Sequence, residues 1–244
     1  LNILKDLYSD LKLGRQAIGK NRYEYYNKFS RDARVNKYDG RAQLDRSDDI
    51  TWTLEWTGNY HFKLQDEHDF NIMGGYSYQE FDYEHFGAEN RNFPTEVFNV
   101  WNLDAGDYNK VQGRNGMWSG KSQEKTIAFL GRLNYNWKDF LLFTGSLRYE
   151  GNSKFGVDHK WGLFPAASAA VRISQLPALM GNENINDLKL RFSYGETGRS
   201  GFDRYISLAK YTGYGTYWSD TLGKFIKGYG PGNNPNADLQ WEKQ

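Results

Sequence analysis

The chain has 244 residues, 31 basic against 30 acidic side chains, 17% aromatic residues, 26 glycines and no cysteine. Charge this balanced, spread without a basic tract or acidic tail, argues against nucleic acid and against a charged docking arm. The lack of cysteine excludes a disulfide scaffold, a zinc–thiolate site and cysteine catalysis. Mean hydropathy is −0.82, and no run of about 20 apolar residues could make a helical span. A membrane β-strand needs only every second residue to be apolar, so a low average leaves that class open.

Residues 1–50 read as a polar, loop-rich segment after a broken strand, and the first twenty carry no assigned structure. The chain opens on Leu1 without a charged-then-apolar leader, as a mature protein or an internal piece would. From Thr51 period two takes over. Trp52, Leu54, Trp56, Gly58, Tyr60 and Phe62 alternate with Thr51, Thr53, Glu55, Thr57, Asn59 and His61, the pattern of a half-buried strand. KLQDEH makes a short polar turn into a second run, Phe70, Ile72, Gly74, Tyr76 and Tyr78, so the two form a hairpin. A third run holds Ile127, Phe129, Gly131, Leu133, Tyr135 and Trp137. After Lys138-Asp139 the chain returns with Leu141, Phe143, Gly145, Leu147 and Tyr149 on one face. A fifth run groups Trp161, Leu163, Ala167, Ala169, Val171 and Ile173, and a sixth groups Leu188, Leu190, Phe192 and Tyr194.

Each run is about 10 residues, the length a tilted strand needs to cross a bilayer. The connections alternate between short turns and long, polar, Gly/Asn/Tyr-rich loops at about 84–121 and 196–236. The 175–187 connection, with LPALMGNENIN, fits the short set least well. Outer-membrane barrels alternate short turns with extended outer loops in this way. Tyr135, Trp137 and Phe140 stand at the short-turn end of their hairpin, and Tyr149 and Trp161 at the other, where interfacial aromatics belong. The expected fold is all-β: part of an antiparallel transmembrane β-barrel with at least six strands, carried by residues 51–244. A soluble or surface-attached β-sandwich that binds glycan alternates similarly and is the alternative.

Four ordered motifs carry a resemblance. They are Tyr135 to Asp139, Arg148 to Gly156 (Arg-Tyr-Glu-Gly-Asn-Ser-Lys-Phe-Gly), Trp161 to Pro165, and Leu188 to Gly198, followed by a closing NPNADLQWEKQ. They are similar to those of the SusC/RagA family of TonB-dependent transporters, while residues 1–126 match only in style. The resemblance implies a middle portion of a plugged barrel of roughly 22 strands in the cell outer membrane. It implies import of bulky oligosaccharides or peptides, a SusD-type surface lipoprotein and the TonB complex as partners, no cofactor, and no enzymatic activity.

The charged face of the strands nominates lumen-facing residues: Glu55, Arg132, Arg148, Glu150, Arg172, Lys189 and Arg191. Arg148 and Glu150 suit a charge ladder with Arg132. Aromatics on the long loops nominate ligand or partner contacts: Trp101, Trp118, Tyr211, Tyr214, Tyr217 and Trp218, since exposed rings suit sugar stacking or a protein contact as well as loop self-packing. The four histidines lack metal-ligand spacing. Glu150 with Asp158 makes no better than a chance glycosidase pair. GETGRSG lacks the Lys-Ser/Thr of a phosphate loop, so its glycines mark a strand's exit into a loop.

Overall fold

The structure is a computed structural model and describes residues 2–4, 6–111, 113–179 and 186–244. Most of LPALMGNENIN, residues 180–185, lies outside these. Eight strands follow one another in a single sheet in chain order: β1 (Asn2–Leu4), β2 (Leu7–Tyr26), β3 (Arg41–Leu64), β4 (His68–Arg91), β5 (Met117–Trp137), β6 (Leu141–Asn152), β7 (Trp161–Arg172) and β8 (Lys189–Gly195). Two small two-stranded sheets complete the chain. One pairs β10 (Tyr211–Ser219) with β11 (Lys224–Pro231), the other β9 (Gly198–Arg199) with β12 (Glu242–Lys243). The six strands expected over 51–197 are β3 to β8. The sheet order is linear and unclosed, as a section of a barrel must be.

The amino-terminal reading needs correction. Residues 1–50 are not loop-rich: β2 alone is 20 residues long, and a six-residue helix, α1 (Arg31–Asn36), joins it to the start of β3. Leu7, Leu11 and Leu13 do alternate, but from Gly14 to Tyr26 both faces are polar, so period two carries no hydrophobic signal there. The same masking shortened β4 and β5. Their polar ends run to Arg91 and from Met117, leaving 92–116 as the connection. Within 196–236 the hairpin β10–β11 stands where a loop was expected. Ile173 leaves the β7 stripe for a 3₁₀ turn.

The chain divides into two units, one of residues 1–14, 53–79 and 124–244, the other of 15–52 and 80–123. In the first, register fixes the faces. Antiparallel pairing of β5 to β8 lines up the rows Trp137–Leu141–Val171–Leu190, Tyr135–Phe143–Ala169–Phe192, Leu133–Gly145–Ala167–Tyr194, Gly131–Leu147–Pro165, Phe129–Tyr149–Leu163 and Ile127–Gly151–Trp161. Every member is apolar, aromatic or glycine. The rows between them include Asn134–Thr144–Ser168–Ser193, Arg132–Ser146–Ala166–Gly195 and Ala128–Glu150–Gly162. From Ile127 to Trp137 the apolar rows cover about 33 Å of strand at roughly 3.3 Å per residue. A tilt of 35–45° reduces this to about 25 Å, the height of a barrel's lipid band. Aromatics close both ends. Tyr149 stacks on Trp161 at 4.7 Å between ring centres, with Phe129 at 6.2 Å from Trp161; at the other end Phe70 meets Tyr135 at 4.9 Å and Trp137 meets Phe140 at 6.1 Å. No second sheet covers this face among the described residues, and Trp56, Phe129, Leu147 and Phe192 stay exposed. The linear order of β1 to β8 in one sheet is that of a barrel section rather than of a two-sheet sandwich.

Local chemistry explains the joints. Lys138 and Asp139 both take positive φ, 51° and 54°, as the tightest hairpin turns require. The Asn136 amide donates to the Asp139 carboxylate (2.7 Å), and Asn136 Oδ1 accepts from the Asp139 N–H (3.1 Å). Gln65 and Asp66 make the equivalent turn between β3 and β4. Pro165 sits inside β7, where a proline normally breaks a ladder. Its carbonyl accepts from Glu196 N at 2.9 Å, so its nitrogen faces the side on which β8 has already stopped at Gly195, and the missing donor costs little.

In the second unit, Asn90 is almost fully buried and pins the 92–116 connection. It donates to Leu103 O (2.7 Å) and Gly106 O (2.9 Å) and accepts from Asn109 N (3.2 Å). Glu89 holds Arg41 and Arg91, each at 2.7 Å. Ser30 caps α1 by accepting from Ala33 N at 3.1 Å, and Lys37 at φ 56° ends it.

The two faces predict opposite outcomes in the full-length protein. Phe143→Arg puts a charge in the apolar band at a cost of about 2–4 kcal/mol near mid-membrane, and should abolish the heat-modifiable folded band in membrane fractions. Ser146→Arg, beside Arg132, should assemble normally. Equal yields of the two would refute the assignment.

Candidate functional site

Three of the four motifs, together with the closing segment, converge on one knot in the first unit. At the end of β6, Asn152 is buried and donates to Glu124 Oε1 (2.9 Å) and Thr126 Oγ1 (3.0 Å). Ser153 Oγ accepts from Lys125 N at 2.9 Å. Lys154 reaches Glu124 at 3.2 Å, and Arg204, from the segment after β9, reaches the same carboxylate oxygen at 3.3 Å. Phe155 is 1% exposed, with Trp241 at 4.4 Å and Phe202 at 5.1 Å between ring centres. Phe164 of the Trp-Gly-Leu-Phe-Pro motif meets Trp241 edge-on at 5.2 Å. The Trp241 indole donates to Lys160 O (3.0 Å), and Gly156 N donates to Leu239 O (3.0 Å). Gly198 of the fourth motif lies under Phe164 and Trp241 and pairs with Lys243 across β9–β12.

Glu124 lies three residues before Ile127, outside the apolar band. Burial pushes its carboxyl pKa up, but the Asn152 hydrogen bond and the Lys154 and Arg204 partners pull harder, and it settles below its ordinary 4.5. A carboxylate depressed in this way contributes stability above its ordinary value and loses it as pH falls through the depressed one.

The knot supports a display platform. Ser207 Oγ donates to Lys154 O (3.0 Å), Asn236 N to Ile206 O (3.2 Å) and Asn233 Nδ2 to Leu208 O (2.8 Å). These bonds close the base of the β10–β11 hairpin. Register splits the hairpin's candidate residues between its two faces. Tyr211, Trp218, Phe225 and Tyr229 share one face with Lys227, and Tyr214 and Tyr217 share the other with Ile226. Tyr214 lies on Gly230 and donates its hydroxyl to Pro231 O (2.6 Å), while Tyr217 lies on Gly228. Self-packing thus accounts for Tyr214 and Tyr217. Trp218 packs edge-on against Phe225 at 5.2 Å, and Tyr211, at 76% exposed, has no ring contact among the described residues. Tyr229, another aromatic of the expected loop, belongs with these two, and so does Phe225, which was missed; strand parity within the expected loop was the signal.

The other candidates are dispersed. Trp101 is 73% exposed and tilts against Tyr23 at 5.3 Å, while Trp118 lies against Gly87. Both belong to the second unit. Of the charged-face residues, Arg148 donates to Glu150, but Leu130 stands opposite Arg148 and Ser146 opposite Arg132, so the direct contact in the proposed ladder is Arg148–Glu150. Arg172 stands opposite Lys189 and takes Asp187 as its ion partner at 3.3 Å; Arg191 stands opposite Ala170. Glu55 lies exposed on β3. Among the described residues no cluster of three or more His, Asp or Glu is placed to hold a metal.

A linear antiparallel sheet with one apolar face edged by aromatics defines a section of an outer-membrane-type β-barrel. Residues 3–244 match the family model described as TonB dependent receptor-like, beta-barrel. The chain belongs to that family, one of receptors and transporters rather than enzymes, and its SusC/RagA-type resemblance holds. It is 28% identical to TonB-dependent receptor P39 of Formosa agariphila over 234 residues, covering 94% of this chain and 21% of that protein. With TonB-dependent receptor P26 of the same organism it shares 32% over 170 residues, 68% of this chain and 16% of that protein. With TonB-dependent receptor SusC of Bacteroides thetaiotaomicron it shares 32% over 127 residues, 48% and 12% of the two chains. The structure titled "Structure of the RagAB peptide transporter" superposes with a TM-score of 0.82 over 98% of this chain and 25% of that one, at 22% identity. The chain thus spans about a fifth or less of the curated relatives it matches.

Two consequences follow from the knot. Gly156→Ala would drive a Cβ into the Ala237 carbonyl, at a backbone atom that cannot step aside; limited proteolysis should then cut between Arg199 and Lys243 at least several-fold faster than in the parent. Acidification below about pH 4.5 should loosen the same segment as Glu124 takes up a proton, and Glu124→Gln should show that looseness at neutral pH. Proteolysis rates independent of pH would refute the role of Glu124.

Proposed function

We propose that this chain forms part of the barrel of an outer-membrane importer of bulky nutrients, oligosaccharides or peptides, working with a SusD-type surface lipoprotein and energised through the TonB complex. The supporting observation is the register of β5 to β8, which gives an uninterrupted apolar band on one face and a polar, charged face behind it. The charged face, with Arg132, Arg148, Glu150, Arg172, Lys189, Arg191 and Glu55, is the lumen in this reading. Strands β2 to β5, at 20 to 24 residues, are about twice as long as crossing a bilayer requires, so their polar ends stand outside it. Residues 1–50 contribute strand to the barrel wall, and the 92–116 and 196–236 segments lie on the outer side. No covalent chemistry is needed: capture and passage depend on loop and lumen contacts. The SusC relative and the RagAB neighbour favour this assignment.

The test uses the complete protein in its native cell. It should fractionate with the outer membrane, and its deletion, or loss of TonB, should abolish growth on a polymeric nutrient while growth on the monomer continues. Recovery in the soluble fraction, or growth unaffected by either deletion, would overturn the reading.

A further inference from the structure

The exposed face of the β10–β11 hairpin has a definite layout. Along the ribbon come Tyr211 opposite Pro231, then Gly213 opposite Tyr229, Thr216 opposite Lys227, and Trp218 opposite Phe225. Two groups of rings are therefore separated by one cation. The Lys227 stem lies across Gly213, occupying the space a Cβ would take there. Trp218 and Phe225 meet edge-on at 5.2 Å, leaving ring surface open. Among the described residues no carboxylate pairs with Lys227, whereas Lys154, Arg204 and Lys243 of the knot each have one. The nearby Lys210 is engaged with Arg204 O and the Tyr205 ring.

A ribbon with free edges could also add an extended peptide as a third strand. This ribbon is poorly suited to that. Its register shifts between Tyr214 and Thr216, where Gly215 takes φ +34°, and a bulge bends and twists an edge out of pairing. Pro231 removes a donor from the other edge, and Lys224 and Lys227 add charge there. These are devices that protect edges from strand addition. Two-stranded ribbons also twist most strongly. The faces remain available; one carries Tyr214 and Tyr217 over Gly230 and Gly228, and the other carries four rings around Lys227.

We propose that the Tyr211–Trp218–Phe225–Tyr229 face, with Lys227 at its centre, is a binding site for an acidic oligosaccharide, whose sugar rings stack on the aromatics while a carboxylate or sulfate pairs with the Lys227 ammonium. This rests on the importer reading and narrows its cargo. Flat rings with apolar faces complement the ring surfaces of a sugar chain, and an unpaired ammonium selects for an anionic substituent on it. From Tyr211 to Trp218 the face runs about 20 Å at roughly 3.3 Å per residue, room for several sugar units.

The experiment uses the full-length protein in detergent and reads quenching or calorimetric binding with four probes: a galacturonic acid tetrasaccharide, a sulfated galactose tetrasaccharide, neutral galactose tetrasaccharide and a tetraglutamate peptide. At least one acidic sugar should bind about fivefold or more tighter than the neutral one, the advantage of one exposed ion pair, and added salt should erase the difference. The two acidic probes tell carboxylate from sulfate. Lys227→Gln should remove the preference while leaving neutral binding within about twofold, and Trp218→Ala should weaken acidic and neutral sugars alike. Heat-modifiable migration confirms that both variants fold. Equal binding of acidic and neutral sugars, a preference that survives Lys227→Gln, or tighter binding of the peptide would each overturn the proposal. Outer-membrane fractionation and growth are scored separately, so absence of the preference in a correctly located, growth-supporting parent protein sinks this inference alone.

Discussion

Within hydrocarbon, a backbone N–H or C=O has no water to turn to, and each one left unpaired costs several kcal/mol. The sheet order here follows from that constraint. Each strand from β3 to β6 has a sheet neighbour on both sides, and β6 is paired along its apolar stretch to β5 and to β7. Neighbours must also be consecutive in the chain, because tight turns such as Lys138-Asp139 and Gln65-Asp66 leave no length for a crossover. Once pairing is fixed, side chains have two destinations. A one-residue slip of β6 against β5 would carry Phe143 and Leu147 to the polar face and Arg148 and Glu150 to the apolar one. The alternating sequence therefore sets the register as well as the faces.

Alternation was legible in the sequence wherever one side of a strand meets lipid and the other meets water. The runs at 127–137, 141–149 and 188–194 fall on the observed strands because solvent contrast across the sheet imposes contrast along the chain. The same reasoning explains where it was not legible. Gly14 to Tyr26, Arg41 to Asp49 and Tyr83 to Arg91 are strands with polar residues on both faces. Backbone pairing holds them, and pairing leaves no periodic signature in side-chain polarity. Arg41 and Arg91 meeting on Glu89, or Asn90 reaching across to Leu103 and Gly106, are long-range contacts that no local window could reveal.

The motifs behave differently again. Asn152, Ser153, Lys154, Phe155 and Gly156 looked like a loop signature, with no reason visible in the sequence for that set of residue types. The structure supplies one for each. Asn152 and Lys154 neutralise and hydrogen-bond a carboxylate that would be costly to bury alone. Ser153 accepts from a backbone N–H at the end of the apolar band. Phe155 fills the space between Phe202 and Trp241, and Gly156 lets the Ala237 backbone approach. The closing Asn-Pro-x-x-x-Leu-x-Trp-Glu segment, whose Trp241 joins the cluster and whose Glu242 continues into β12, is the other half of the same joint.

This division separates what a family resemblance can convey from what it cannot. The motif residues serve to anchor a segment, and they would do so identically whatever the segment displays. Between Arg199 and Asn233 the quoted motifs contribute nothing, and there the chain raises a hairpin with aromatic rings on both faces and Lys227 among the rings of one. An isolated two-stranded ribbon is marginal in water, so its position depends on the knot beneath it: Arg204 on Glu124, Ser207 on Lys154 O, Asn236 on Ile206 O. A knotted base beneath the display keeps the backbone of the hairpin's foot ordered before a ligand arrives, which lowers the ordering cost of binding. It also lets the display change without disturbing the wall, because none of the hairpin's exposed rings takes part in the packing of Phe155, Phe164 and Trp241.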